Sequence, residues 1–112
     1  MLPSNLTRSG FDVSNPKDEK IDIECLSEIR EFIRTNFEKS ETIVIRDNKT
    51  SHGLIIYVNP CLQREFENGD LIAAMILEGY RYKQCVKSRN CYFNISEESI
   101  KKLLSLMREA LN

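Results

Sequence analysis

Apolar residues recur at three- and four-residue intervals from Cys25 to Phe37, while mainly polar residues occupy the positions between them. This period is typical of an amphipathic helix, here of about four turns. The β-branched run Thr42–Arg46 comes next and predicts a short strand. Turn-forming residues then lead to Thr50 and Ser51, either of which can cap a second helix.

The proline at position 60 interrupts this second helix. Proline has no amide hydrogen and disfavours helical geometry at the residue before it, so the helix is expected to bend or stop there. Two short helical pieces, Ser51–Val58 and Pro60–Phe66, are predicted because proline is well suited to a first helical turn.

The remaining chain predicts a third helix, a hairpin and a last helix. Leu71–Leu77 is apolar on almost every side, and Gly79 occupies the usual position just after a helix end. Two β-prone runs, Tyr80–Val86 and Cys91–Ile95, flank a four-residue turn and indicate a β-hairpin. Ser96 caps the helix that follows.

The predicted order is helix, strand, helix, helix, strand, turn, strand, helix. It indicates an α+β fold that is winged-helix-like, with a helix-turn-helix followed by a β-hairpin wing. Residues 1–17 are mostly polar, with Phe11 and Val13 as candidate anchors, and are expected to form a flexible N-terminal arm. Residues 18–112 are expected to form a single winged-helix-like domain. The periodicity assigns to one core Leu26, Ile29, Ile33, Phe37, Val44, Leu54, Ile72, Ala73, Ile76, Phe93, Ile100, Leu104 and Met107.

Positive charge is unevenly distributed along the chain. The 112 residues include 16 basic and 17 acidic side chains, yet four of the bases lie between Glu78 and Glu97 with no acid among them. The predicted hairpin therefore carries a basic surface on a slightly acidic protein. Its candidate residues for contact with a partner or a nucleic acid are Arg81, Lys83, Lys87, Arg89, Asn90 and Tyr92.

Three explanations of this basic hairpin remain open. A wing can lay cations along a phosphate backbone, which needs charge and reach but no base-specific contacts. The same cations can meet an acidic protein surface. Alternatively, the charge only keeps an edge strand from pairing with other chains.

The composition of the helix that would read bases in a winged helix is unfavourable for DNA binding. From Asp70 to Glu78 it contains no Arg, Lys, Asn or Gln, the side chains that read base edges in the major groove. Arg64–Glu78 carries a net charge of −3, which would oppose the negative potential of the groove.

The chain shows no pattern for a metal site, a cofactor site or a catalytic site. The four cysteines form no CxxC pair and the single histidine, His52, is distant from all of them, so no zinc site is expected. Ser51 and His52 are neighbours on a predicted helix and point in different directions, so they do not form a catalytic dyad. There is no glycine-rich phosphate loop. We therefore expect no enzyme, no metal and no cofactor.

The cysteines instead suggest buried or free thiols. Cys25 and Cys61 fall among apolar positions and are expected to be small buried side chains. Cys85 and Cys91 flank the basic turn and could approach each other, but in a reducing cytosol they are expected to be free.

The expected location of the protein is the cytoplasm, without contact to a membrane. The longest apolar stretch has seven residues, and the first ten residues contain no basic head followed by an apolar segment.

The stretch Ser51–Ser96 is similar to a group of small uncharacterised proteins of bacterial plasmids and prophages. The shared pattern is S-x-x-L, an aromatic residue, N-G-x-x-I-A-A-x-x-x-x-G-Y/F-x-x-K/R and N-x-x-F-N-I/V. It is carried here by Ser51, Leu54, Phe66, Asn68, Gly69, Ile72, Ala73, Ala74, Gly79, Tyr80, Lys83, Asn90, Phe93, Asn94 and Ile95. The chain departs from it at Ile55 and Ile56, where many members have a Lys-His pair. The resemblance implies a mobile-element setting but no particular activity.

Two functions follow from these observations. The first is a non-catalytic regulator or inhibitor of a bacterial mobile element, of an anti-defence or host-takeover type such as an anti-CRISPR-like protein, that contacts a host or phage protein complex. The alternative is a winged-helix DNA-binding regulator that uses the basic hairpin as its wing and a homodimer to set the register.

Overall fold

The computed structural model of the protein describes residues 2–11, 19–43, 45–46 and 49–111, with only the backbone of residue 111. Within these ranges the fold is α+β, as predicted, with four α-helices and two small antiparallel sheets. In chain order the elements are β1 (Leu6–Thr7), β2 (Gly10–Phe11), a 3-10 helix (Ile23–Leu26), α1 (Ser27–Asn36), α2 (Ser51–Leu62), α3 (Asn68–Leu77), β3 (Tyr82–Gln84), β4 (Cys91–Phe93) and α4 (Glu97–Leu111).

The first predicted helix is confirmed as the 3-10 turn continued by α1. Asp22 begins the turn, because its carboxylate accepts a hydrogen bond from the backbone N–H of Glu24 at 3.1 Å. Ile29 and Ile33 are fully buried, and α1 packs against α3.

The strand predicted at Thr42–Arg46 is absent from the part of it that the structure describes. Thr42, Ile43, Ile45 and Arg46 adopt no strand, and position 44 lies outside the described residues. The segment that precedes it instead forms an isolated β-bridge, between Lys39 and Ile95, with the residues that follow the second hairpin.

Pro60 does not divide α2, so the prediction of two helical pieces is wrong. The ring of this proline conflicts only with the carbonyl of Ile56, and the helix ends two residues after it at Leu62. Ile56 is 57% exposed. On this open side of the helix, water can take the place of the missing intrahelical hydrogen bond.

Helix α3 is the centre of the fold. Every residue from Leu71 to Met75 is completely buried. A capping box begins the helix. The backbone N–H of Glu67 donates to the Asp70 carboxylate at 2.9 Å, and the Glu67 side chain accepts a hydrogen bond from the backbone N–H of Asp70. Gly79 adopts a φ of 88° just after the helix, as predicted for its end.

The N-terminal residues 2–11 differ from the predicted flexible arm. Strands β1 and β2 pair in an antiparallel hairpin that packs on α3, and Leu6 and Phe11 are buried in the core. The approach is so close that a Cβ on Gly69 would stand 1.7 Å from the carbonyl oxygen of Thr7. Two apolar side chains, Leu6 and Phe11, are enough to hold this hairpin on α3, because Gly69 lets the hairpin approach closely enough for them to reach the core. Val13 lies outside the described residues.

The second hairpin and the last helix are confirmed. Strands β3 and β4 are antiparallel neighbours. The Ser96 hydroxyl accepts a hydrogen bond from the backbone N–H of Ser99 at 3.2 Å at the start of α4. Ile100 and Leu103 on this helix are buried.

Most of the predicted core is confirmed. Its buried members are Leu26, Ile29, Ile33, Phe37, Leu54, Ile72, Ala73, Phe93 and Ile100. Ile76, Leu104 and Met107 are only partly buried at the edge of this core, and Val44 lies outside the described residues.

Candidate contact surface on the second hairpin

The two faces of the hairpin have different surroundings. Tyr82 is paired with Phe93 and Gln84 with Cys91, so these four side chains share the inner face. Phe93 and Cys91 are completely buried, and the ring of Tyr82 stacks on that of Phe11 with 5.7 Å between centroids.

The outer face carries two of the predicted cations. Lys83 lies opposite Tyr92, and Arg81 is two residues earlier on the same side of the strand. Arg81 and Lys83 are exposed to solvent, whereas Tyr92 is partly buried.

The turn presents an apolar side chain next to a third cation. The backbone N–H of Cys85 donates to the carbonyl of Asn90 at 3.0 Å, and that of Ser88 to the carbonyl of Cys85 at 3.2 Å. Lys87 adopts a left-handed φ of 52°, which closes the turn. Val86 is 88% exposed, the largest exposure among the large hydrophobic residues that the structure describes.

The last two predicted contact residues join the two hairpins. The carbonyl of Arg89 accepts from the backbone N–H of Phe11 at 2.9 Å. The side-chain amide of Asn68 donates to that carbonyl at 3.4 Å and to the Asn90 side chain at 2.9 Å. The predicted set therefore divides: Arg81, Lys83, Lys87 and Tyr92 lie on the outer face and turn, while Arg89 and Asn90 contribute groups to the interior.

The base of the hairpin is held by three side chains. Asn94 accepts from the backbone N–H of Arg81 at 2.7 Å and donates to the carbonyl of Ser40 at 3.1 Å. The hydroxyl of Ser51 accepts from the backbone N–H of Cys91 at 3.1 Å. The Arg81 guanidinium donates to the carbonyl of Glu41. These bonds fix the hairpin on the body of the protein, so its cations are presented from a preorganised support.

Lys83 and Lys87 differ from three arginines elsewhere in the structure in their ion pairing. Arg30 and Arg34 both contact Glu78, at 2.6 and 2.9 Å, and Arg64 contacts Glu28 at 3.2 Å. Within the described ranges, neither Lys83 nor Lys87 has an acidic partner. Their charge is therefore available to a ligand.

The pKa of Glu78 reflects its ion pairs with the two arginines of α1. Burial alone would raise the pKa of this carboxyl group, but hydrogen bonds from Arg30 and Arg34 outweigh burial and hold the pKa below its ordinary value. Glu78 thus serves as a structural anion between α1 and α3.

Helix α3 does not offer a surface for reading bases. The hairpin β1–β2 packs against it, and Arg8 donates to the carboxylate of Asp70 through Nε at 3.3 Å and Nη2 at 3.1 Å. The Asp70 side chain is only 5% exposed. The charge of Asp70 is thus engaged in a part-buried ion pair with Arg8.

The thiols are placed differently from the sequence expectation. Cys25 and Cys61 are exposed rather than buried, and all four cysteines are free. The Cys25 thiol donates to the Asp22 carboxylate at 3.1 Å, which raises its pKa. Gln84, not Cys85, is the partner of Cys91 in the hairpin, so alternation places Cys85 and Cys91 on opposite faces.

Ser51 and His52 also have separate surroundings. Ser51 is buried with its hydroxyl at the Cys91 amide, whereas His52 is exposed. The two side chains are therefore not aligned as nucleophile and base.

The described residues outside the hairpin, and the similarity of the chain to known proteins, add no further assignment. The described residues include no cluster of His, Cys, Asp and Glu suited to a metal ion, and no helix among them is long and apolar enough to span a membrane. No protein-family model, curated protein or solved structure matches the chain.

Proposed function

We propose that the protein is a non-catalytic regulator or inhibitor that binds an acidic surface of a partner protein through the hairpin β3–β4. The observation that carries this proposal is a hydrogen-bonded turn with an almost fully exposed Val86 beside Lys87, which has no acidic partner among the described residues, and Lys83 on the adjoining strand. In this proposal α1 to α3 and the hairpin form a winged-helix-like unit. Its setting is the bacterial cytoplasm, and its partner is a host or phage complex.

The combination of apolar and basic groups suits a protein partner. Binding surfaces commonly have a buried apolar anchor surrounded by a polar rim, and the anchor provides much of the affinity. Burying Val86 completely would contribute about 1.5–3 kcal/mol. The surrounding cations would mainly accelerate association with an acidic surface and select against basic ones.

The basic outer face supports nucleic-acid binding as a second candidate. Arg81, Lys83 and Lys87 could lie along a phosphate backbone without contacting bases. Because α3 is buried beneath β1–β2, this binding would depend on the wing and would show little sequence preference. A homodimer would supply any register.

Binding to two polyanions tests the proposal. The probes are polyglutamate and random-sequence duplex DNA, each titrated at about 50 and 200 mM salt, a range over which phosphate contacts lose most of their strength. The variant is Lys83→Glu/Lys87→Glu, and the matched control is Lys101→Glu/Lys102→Glu, which makes the same charge change on exposed residues of α4.

We expect the wild type and the α4 control to bind polyglutamate at low salt and the hairpin variant to lose this binding. Equal binding by all three proteins would contradict the proposal and leave the hairpin charge as a guard against edge pairing. Tighter binding to duplex DNA than to polyglutamate, with a salt slope that becomes shallower by about one per phosphate contact removed, would instead assign the nucleic-acid function.

A further inference from the structure

The hairpin has a free backbone edge. Two backbone hydrogen bonds extend the β3–β4 ladder at its ends. The N–H of Asn94 donates to the carbonyl of Arg81 at 3.2 Å, and the N–H of Cys85 donates to the carbonyl of Asn90 at 3.0 Å, so these are hydrogen-bonded pairs of the ladder. In an antiparallel pair these alternate with pairs that are not hydrogen-bonded. The N–H and C=O groups of Tyr82 and Gln84 therefore point away from β4.

Among the described residues, these outward groups have no hydrogen-bond partner. Neither residue makes a backbone hydrogen bond to any other part of the described chain on that side. All three residues of β3 are exposed, and no segment within the described ranges pairs with this edge. The opposite edge of the hairpin is engaged, because the Cys91 amide donates to Ser51. Strand β3 is thus the open side of this sheet.

We propose that this edge of β3 binds an extended acidic segment of the partner protein by strand addition. The proposal rests on the proposed function and specifies how the hairpin engages its ligand. Tyr82 and Gln84 together offer two donors and two acceptors, and an extended chain satisfies such a row with its own backbone. The ordered edge strand reduces the entropy cost of the protein side of this contact.

The charge of the hairpin indicates an acidic segment rather than a second copy of the chain. Antiparallel pairing of β3 with its own copy about Lys83 would place two lysines opposite each other, which is destabilising. An added strand with acidic side chains on the outer face would instead place them beside Arg81 and Lys83. Alternate side chains would fall on the inner face next to Tyr82, a residue that is 38% exposed, so small apolar residues suit those positions.

A peptide of alternating glutamate and valine, eight residues long by design (~25 Å in extended form), tests this geometry. Its matched control has the same sequence with every backbone nitrogen methylated, which removes the amide donors and retains the charge. Affinity is measured by fluorescence anisotropy at low salt. Hydrogen exchange of the Tyr82 and Gln84 amides is measured by NMR in the free and bound states.

Two variants separate backbone from side-chain effects. Gln84→Pro removes one outward N–H, and an outward position on an edge strand tolerates proline. Gln84→Ala removes the side chain but retains that N–H. We expect the proline variant to bind about tenfold more weakly and the alanine variant to bind as the wild type does. The methylated peptide should lose binding, and the two amides should become protected from exchange only in the complex with the unmethylated peptide.

Other results would overturn strand addition. If the methylated peptide binds the wild type as well as the unmethylated one does, the contact uses charge alone, and the polyglutamate experiment then judges the proposed function separately. Absence of binding by the unmethylated peptide would likewise refute strand addition. If the proline variant does not fold, the methylated peptide on the wild type gives the decision.

Discussion

We expect a single methyl group on Gly69 to displace the N-terminal hairpin from α3. Gly69 is in the first turn of α3, and its N–H donates to the carbonyl of Arg8 at 2.8 Å. In Gly69→Ala the new Cβ would stand 1.7 Å from the carbonyl oxygen of Thr7 and 2.7 Å from the carbonyl carbon of Arg8. Because these are backbone atoms, no side-chain rotation can relieve the contact, and β1–β2 must move as a unit.

The expected cost follows from what this movement exposes. Leu6 and Phe11 are buried, and returning two such side chains to water costs about 3–6 kcal/mol. Alanine is the better helix former and returns about 1 kcal/mol. We therefore expect Gly69→Ala to lower the free energy of unfolding by about 2–5 kcal/mol, with the upper value for complete detachment of the hairpin.

Urea denaturation followed by circular dichroism measures this change. The control is Ser105→Ala on the exposed side of α4, which should change stability by no more than about 0.5 kcal/mol. A Gly69→Ala protein with an unchanged or higher midpoint would show that β1–β2 is not docked on α3, and the flexible arm would be the better description.

Three further outcomes are expected. Deletion of residues 1–17 should destabilise the protein by several kcal/mol, in contrast to a dispensable arm, because it removes the same two buried side chains; a thermal melt of the truncated protein is the check, and an unchanged Tm contradicts docking. Ile72→Asp should unfold the domain while Ile76→Asp is milder, since Ile72 is completely buried and Ile76 is not; equal effects in circular dichroism would contradict this core. Glu78→Gln should destabilise the protein at neutral pH, and this effect should disappear in acid. A carboxyl group with a lowered pKa contributes stability above its ordinary pKa of 4.5, and that stability is lost as the pH falls through the pKa of the folded protein. Parallel unfolding curves of variant and wild type down to low pH would refute the ion-paired role.

Elements with local signals could be predicted from the sequence. The period of α1, the apolar composition of α3, and Ser96 at the start of α4 each depend on residues a few positions apart, so the chain itself displays them. The second hairpin is of the same kind, since two β-prone runs flank a polar turn.

Elements that depend on distant contacts could not be predicted. The strands of β1–β2 have two residues each, and their position depends on the approach of Thr7 to Gly69, 62 positions later in the sequence. Pro60 is tolerated because the helix ends soon after it on an exposed side, which the local rule for proline does not include. The basic charge of the candidate site could be predicted from the sequence, but the division of its residues between the outer face and the interior could not. Only the register shows that Lys83 lies on the outer face while Asn90 reaches inward to Asn68.

The most direct test of the hairpin as the contact surface is an NMR titration of the isotopically labelled protein with polyglutamate at low salt. We expect the amide shifts to concentrate between residues 81 and 92 and to vanish in Lys83→Glu/Lys87→Glu, while Lys101→Glu/Lys102→Glu retains them. Shifts centred on α1 or α4, or shifts that persist in the hairpin variant, would contradict the hairpin as the contact surface.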